Sequence, residues 1–492
     1  RASRSDAVGD LSIMQLLRFL ACVIVACAIF PAHAQEAYLH LNGAVHIHST
    51  LSTGSASIET IARQATERGL DVLVITDDDL LKVEYGLPFL RNLAYARIER
   101  AVFSHGTISA YLNEIARVAE LFPELVIIDG VESAPFYYWE VDLGERRWTL
   151  RSWNKHMIAM ALGSAEAYAN LPIMGSESIE VWHWSSVILL WPLLGAGYCV
   201  FSRSLSMRLA VGAISVVCLI NNFPFKVGLM DPYNGDLGPA PYQNYIDYVN
   251  AHGGLALWPH PEAKSTISPQ SLLGGLLEAA SETRPHAEDL VDTKDYTAFS
   301  ALYADRITAT EPGGEWDRVL MQYLDGKRER PVWGTGEIDY HHDKKGRIHD
   351  ILTIFLARNR TREAVIEAMR AGRMYATRGG DERLVLERFT VASEAGIGVA
   401  GEEVVSQGQA RISVRIARLD GSSEHIGLRL IRSGAVVADI SATTPIKFEH
   451  VDTDIREGDS LYYRILGSRH KVVLVSNPIF VKGVVPAGAS PL

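Results

Sequence analysis

His46 and His48 stand two residues apart in Ala44-Val45-His46-Ile47-His48-Ser49-Thr50, and Asp77-Asp78-Asp79 follow downstream. On a β-strand, residues two apart point to one face, so the two imidazoles would project side by side. Between them and the aspartates, Ser57-Ile58-Glu59-Thr60-Ile61-Ala62-Arg63-Gln64-Ala65 reads as a helix. Ser57 serves as its N-cap, apolar residues fall at 58, 61, 62 and 65, and Gly69 ends it. Asp71-Val72-Leu73-Val74-Ile75-Thr76 is a buried-strand run that opens into the three carboxylates. The pattern is strand, right-handed crossover, parallel strand. It gathers imidazole and carboxylate donors at one mouth of a sheet, a set suited to divalent metal ions. A surface histidine pair and a solvated acidic turn would use the same residues, so this stretch does not decide alone.

Further runs repeat the arrangement. Leu125 to Glu132 is a buried strand ending in a carboxylate, and Lys155 to Leu162 is a strand candidate with His156 near its start. Gly254 to Pro261 ends in His260, and Val332 to His341 ends in Asp339-x-His341. One histidine beside apolar residues is ordinarily a core or surface residue. Repetition at strand after strand argues for a shared rim, because strand C-termini in an α/β barrel lie on one face. Helices are expected from Thr107 to Leu121 and from Thr361, as cap, to Arg370, with Gly372 close behind. His105, His183, His252, His286, His342 and His349 follow no such pattern and read as structural or exposed. Arg347 and Arg373 read as surface arginines, with anion binding as the alternative.

At 492 residues the chain calls for two or three domains, and 48% hydrophobic content supplies sizeable cores. A formal net charge of −11 argues against general nucleic-acid binding, which needs a basic face. All four cysteines, Cys22, Cys27, Cys199 and Cys218, lie in apolar segments, so neither a disulfide framework nor a cysteine zinc site is expected. From Met14 the chain shows Arg18, an apolar core from Phe19 to Phe30, and Ala32-His33-Ala34 before Gln35, the pattern of a signal peptide. A lipoprotein box ending in Cys27 and an uncleaved anchor are the alternatives. All three export the remainder to the periplasmic or extracellular side.

Trp182 to Phe201 is twenty residues without Asp, Glu, Lys or Arg, and Leu209 to Phe225 is seventeen more. The first is long enough to cross a hydrocarbon core of ~30 Å. Arg203 and Arg208 between them would remain inside, in keeping with the positive-inside rule, with Trp182 and Trp184 at the outer interface. The expectation is a transmembrane hairpin over 182–225 that contacts the lipid bilayer; a pair of buried helices is the alternative. Beyond Gly379-Gly380, short alternating runs such as Ile412-Ser413-Val414-Arg415-Ile416 suggest a β-sandwich. The expected organisation is upstream residues plus signal over 1–34, an α/β unit over 35–380 carrying the insert, a β-sandwich over 381–484, and a tail over 485–492.

Taken in order, His46-x-His48, Ile75-Thr76-Asp77, Gly130-Val131-Glu132, His156, His260-Pro261 and Asp339-x-His341 resemble the motifs of the PHP (polymerase and histidinol phosphatase) superfamily. Glu367-Ala368-Met369-Arg370-Ala371-Gly372-Arg373 and Ser476-Asn477-Pro478-Ile479-Phe480-Val481 are similar to its CehA/McbA-type branch of secreted metallohydrolases. The resemblance spans Leu39 to Val481 outside the apolar insert. It implies a distorted (βα)7 barrel with metal ions at the strand C-termini. It also implies one ion on His46, His48, Glu132 and Asp339, with Glu132 bridging to a second on His156 and His260. The family's third site falls on Thr53, Asp78 and His341 here. Threonine is a poor ligand, so two ions are expected, with Asp78 and His341 beside them. Asp77 is expected to orient a ligand, and His341 or Asp78 to protonate the leaving group.

The mixed nitrogen and oxygen donors suit Zn²⁺, Mn²⁺ or Fe²⁺. A pair of such ions lowers the pKa of a bridging water and stabilises charge on the attacked oxygen. The expected function is a metal-dependent hydrolase of a small-molecule ester, foremost a phosphoesterase. The rivals are carbamate or carboxyl-ester hydrolysis on the same fold, and a non-catalytic binding or scaffold protein on a decayed barrel.

Overall fold

Apolar runs bounded by turn residues become the strands of one row in the computed structural model. β1 (Leu39–Ile47), β2 (Val72–Asp78), β3 (Val126–Ser133), β4 (Met157–Met160), β5 (Leu255–Trp258), β6 (Ala298–Leu302) and β7 (Trp333–Gly336) stand side by side in chain order. β2, β4, β5, β6 and β7 are buried at every position, as in a sheet covered on both faces. The ends of the row meet just beyond β7. Ile338 N–H donates to Val45 O at 3.2 Å, Tyr340 N–H to His46 O at 3.0 Å, and His48 N–H to Tyr340 O at 2.9 Å.

Neighbours in the row are parallel except at β4, which runs antiparallel to both β3 and β5. The strand direction thus departs from a regular (βα)7 repeat at β4, and the β3–β4 connection is a pair of strands instead of a helix. The departure has a use: a reversed strand begins at the rim where its neighbours end, so His156, just before β4, reaches the same rim as the residues after β1, β3 and β5.

The structure describes residues 38–484 apart from 88–89, 102–106, 177–178, 183, 229, 273–276, 305–306 and 343–345. The expected signal segment with Cys22 and Cys27, the tail, His105 and His183 lie outside the described residues. Helices α1 (Ile58–Glu67), α2 (Thr107–Leu121), α3 (Pro192–Phe201), α4 (Leu205–Asn222), α5 (Ala240–Ala251), α6 (Glu315–Leu324) and α7 (Arg362–Arg370) follow in order. In α1 the Ser57 hydroxyl accepts from Thr60 N–H at 3.2 Å, and Ile58, Ile61, Ala62 and Ala65 are buried. Gly69 takes the left-handed conformation, φ 67°, that ends the helix. Thr361 caps α7 in the same way.

Within the insert, the expected single run from Trp182 to Phe201 is broken. A 3-10 helix over Trp184–Leu190 meets α3 at a bend of 41°. Pro192 opens α3; without an N–H, and with its ring against the preceding turn, it ends one helix and starts another. α4 begins four residues before the expected Leu209 and ends at Asn222. It is long and apolar enough to cross a membrane by length and composition.

β1 also pairs antiparallel with β8 (Ile351–Ala357), β8 with β9 (Met374–Arg378), and β9 with Val472–Ser476. From there the sheet runs on through Ser460–Ser468 and His425–Arg432 to Ala435–Thr443, and, with Ile479–Gly483 paired to Ser460–Ser468 and Glu403–Ser406 beyond it, makes one mixed sheet of 15 strands. Four more strands, Gly396–Gly398, Leu384–Ser393, Ala410–Arg418 and Ile446–Asp452, form a separate antiparallel sheet. Asp317 on α6 joins the two regions. It accepts two hydrogen bonds of 2.7 Å from Arg464 and one of 2.6 Å from Tyr462 Oη, with both members of the ion pair buried.

Candidate metal centre

β1 breaks its pleat at His46, where φ is 70° and the register with β2 shifts between Val45 and Ile47. Simple alternation therefore fails here, yet the His46 and His48 rings still lie 5.2 Å apart. His260 and Asp339 also take positive φ, 29° and 50°. Such backbone costs energy in a residue with a side chain and persists where its surroundings hold it. β2 carries Asp78 as its last residue, in register with Glu132 on β3. His260 follows β5 and is held by its N–H, which donates to Ser300 Oγ on β6 at 3.0 Å.

Glu132 is the hub. Its Oε1 lies 3.3 Å from His46 Nε2, 2.8 Å from His156 Nδ1 and 3.1 Å from His260 Nε2, and its Oε2 lies 3.3 Å from His48 Nε2. Asp339 Oδ1 lies 3.6 Å from His46 Nε2 and 3.4 Å from His48 Nε2. Asp78 Oδ2 lies 3.5 Å from His48 Nδ1 and accepts a 2.7 Å hydrogen bond from Thr53 Oγ1. Three overlapping groups have donor atoms within 4.8 Å of one another: His46, Glu132 and His260; His46, His48 and Asp339; His48, Asp78 and Glu132. The six residues expected as ligands, His46, His48, Glu132, His156, His260 and Asp339, converge, and Asp78 lies beside them.

Burial opposes charge on His46, His48, His156, Glu132 and Asp339, and the neighbours outweigh it. The carboxylates of Glu132 and Asp339 lift His46 to about 10. Asp339, Asp78 and Glu132 raise His48 well above the ordinary imidazole value, and Glu132 raises His156. Reciprocally, His156 and His46 hold Glu132 well below the carboxylate range, and His46 and His48 do the same for Asp339. Protons on the imidazoles balance the carboxylates in this arrangement, and divalent cations would do so more completely. The donor set fits such ions on a second count: His46 Nε2 and His48 Nε2 are buried without a hydrogen-bond partner and aim into the cluster.

Three supports surround it. Asp77 accepts from Ser49 N–H (2.6 Å), Ser49 Oγ (2.7 Å) and Ser52 Oγ (2.5 Å), so it fixes the loop after His48 rather than touching an imidazole directly. His341 stacks on His48, centroids 4.2 Å apart at 21°, with its Nδ1 3.4 Å from Asp339 Oδ1. Burial and the nearby His48 charge push its pKa down. Glu337, which sequence reasoning passed over, is buried with Oε2 3.3 Å from His46 Nδ1. Its signal was a carboxylate two residues before Asp339.

Elsewhere, His252 stacks on Tyr248, His286 lies against Trp258, and His349 faces Asp381 at 3.4 Å. Arg347 pairs with Asp350 and Arg373 with Glu367. None of these lines the cavity of about 350 Å³ above the cluster, whose walls add Trp153, Asn154, Ser265, Ser300 and Tyr303.

No family model matches the chain, and no curated protein matches it in sequence. Among solved structures, it is similar to a two-domain protein from Bacteroides vulgatus containing a predicted PHP-like metal-dependent phosphoesterase, at 11% identity and TM-score 0.34, over 90% of this chain and 96% of the other. A protein from Bifidobacterium adolescentis assigned as a metal-dependent phosphoesterase matches at 14% identity and TM-score 0.26, over 62% and 89%. An amidohydrolase from Chromobacterium violaceum, with bound sulfate and no metal, matches at 13% and TM-score 0.26, over 63% and 90%. Superpositions this loose carry no argument about the present chain, whose chemistry rests on its own cluster.

Proposed function

We propose that the protein is a metal-dependent hydrolase of the PHP type, acting on a small-molecule ester and foremost on a phosphoester. One observation carries this reading: two buried, unpartnered imidazole nitrogens, His46 Nε2 and His48 Nε2, lie 3.3 Å from one carboxylate at the floor of a cavity. On this reading His46, His48 and Asp339 would hold one divalent ion, Zn²⁺, Mn²⁺ or Fe²⁺, His156 and His260 would hold a second, and Glu132 would contribute to both. Bound there, such ions supply Lewis acidity, lowering the pKa of water and polarising an ester oxygen.

The protein's own groups do the rest. Glu337 accepts a hydrogen bond from His46 Nδ1–H, which leaves Nε2 to offer its lone pair. Thr53 orients Asp78, while Trp153 and Tyr303 wall the cavity against bulk water. His341, beside Asp339, is positioned to pass a proton to the leaving oxygen. We read 35–380 as the hydrolase unit, 381–484 as a β-sandwich unit and 182–225 as a bilayer hairpin, on a chain exported from the cytoplasm.

The test is direct. Protein purified without added metal is analysed for ions per chain, then assayed on matched aryl phosphate and aryl carbamate esters. Two ions and phosphate-ester turnover are expected. Carbamate turnover with phosphate silence would move the reaction to the carbamate bond, and absence of both metal and turnover would refute the hydrolase reading.

A further inference from the structure

Just ahead of the insert, Met174 N–H donates to Pro135 O at 3.1 Å, three residues past Glu132, so the insert leaves the fold at the rim that carries the metal cluster. Its neck is closed where Val181 pairs with Val227. Two β-arms flank it, each continuing a strand that delivers a cluster residue. The first, Leu80–Gly86 paired with Tyr95–Ala101, begins two residues after Asp78. From its tip, Asn92 N–H donates to Asn221 Oδ1 of α4 at 3.0 Å, and Asn92 Nδ2 donates to Asn221 O at 2.6 Å. Beside that turn, Gly86 N–H donates to Tyr233 Oη at 2.6 Å. The second arm, Tyr138–Asp142 paired with Arg147–Arg151, follows Glu132. Trp139 N–H donates to Pro232 O at 2.7 Å, just past the insert, and its Nε1–H to Glu84 O at 2.8 Å. The same arm runs on into Trp153 and Asn154, which line the cavity.

The insert exposes far more apolar surface than isolated side chains would: Phe201 is 84% exposed, Leu194 79% and Trp184 78%. The 18 residues of α4 span about 27 Å, close to the thickness of a hydrocarbon core. The described part of the hairpin carries charge only at its turn, Arg203 and Arg208, and tryptophans at its root, the distribution a bilayer selects. The arms expose apolar side chains of their own: Ile98, Leu87 and Leu93 on the first, Leu143 at the tip of the second.

We infer that the substrate is an ester borne on a membrane amphiphile, taken from the bilayer surface at the root of the hairpin. This rests on the reading of the cluster as an ester hydrolase. A cavity of about 350 Å³ takes a headgroup, while the acyl chains stay in the lipid. In the probe reaction, water oxygen bonds to phosphorus, the P–O bond to 4-nitrophenol breaks, and the proton of water goes to the departing phenolate.

The experiment uses the full metal-loaded chain in phosphatidylcholine/phosphatidylglycerol vesicles, with hexadecyl 4-nitrophenyl phosphate and methyl 4-nitrophenyl phosphate as matched substrates. The chain is expected to float with the vesicles and to favour the hexadecyl ester by at least about tenfold in kcat/KM, through its local concentration. The surface double variant Ile214→Lys, Ile220→Lys is expected to leave the vesicles and lose that preference, with methyl-ester turnover unchanged. Equal rates on both esters by vesicle-bound protein, or a soluble dimer that ignores vesicles, would overturn the inference and leave the hydrolase reading standing. Failure to cleave either ester or the matching carbamates would remove both.

Discussion

His46 Nδ1 lies 3.3 Å from Glu337 Oε2, and Thr335 Oγ1 holds the other oxygen of that carboxylate at 2.7 Å. The imidazole is thereby gripped from behind with Nε2 facing the cluster, and Nδ1–H donating to Glu337 would favour the tautomer that binds a cation through Nε2. Glu337→Gln keeps the shape and removes the charge. We expect metal affinity to fall about 10- to 100-fold in a chelator-competition titration, with the melting temperature of the metal-free protein little changed. Unaltered affinity would show that Glu337 does not tune His46.

Glu132 meets four imidazoles through two oxygens. Glu132→Gln and His48→Ala should each reduce the bound ions per chain and lower turnover by at least about 100-fold, as expected for loss of a directly coordinating group. Elemental analysis and ester assays on the same preparations check this. Normal metal content and turnover in both variants would remove the cluster from catalysis.

Metal uptake should be coupled to protons. Burial disfavours the His46 imidazolium, but Glu132 and Asp339 raise its pKa to about 10, so metal-free protein carries a proton there at neutral pH. An incoming cation must displace it, so apparent affinity rises with pH by about tenfold per unit for each proton released. Calorimetry in buffers of different ionisation enthalpy should find at least one proton released at pH 7, and none at a pH well above 10.

The Asp317–Arg464 pair should matter to stability rather than to chemistry. It is fully enclosed and bidentate, with Tyr462 on the same carboxylate. Asp317→Ala strands a buried guanidinium, and a loss of about 3–5 kcal/mol is expected in denaturant unfolding. Metal content of the folded fraction should be unchanged.

Much of the cluster is legible in the sequence because each ligand is announced locally, by a His, Asp or Glu at the end of an apolar run. Direction is not announced: the four residues of β4 look the same run forwards or backwards, and only pairing with β3 and β5 fixes them. The positive φ at His46 has no residue signature either, since histidine gives no warning of it as glycine would. Glu337 approaches His46 across 291 positions of chain, a meeting no local pattern encodes. Thr53 reads as a poor ligand, and the structure shows what it does instead, which is to hold Asp78. β6 went unnoticed because its five buried residues carry no ligand at all.

The pairing of β9 with Val472–Ser476 has a practical consequence for anyone trimming this protein. A chain stopped at residue 380 would bare the whole outer row of β9 amides and carbonyls, an open template for another strand. Such a fragment should aggregate rather than report on the residues of the cluster by themselves. The last hundred residues are the selvedge of the sheet, and it frays without them.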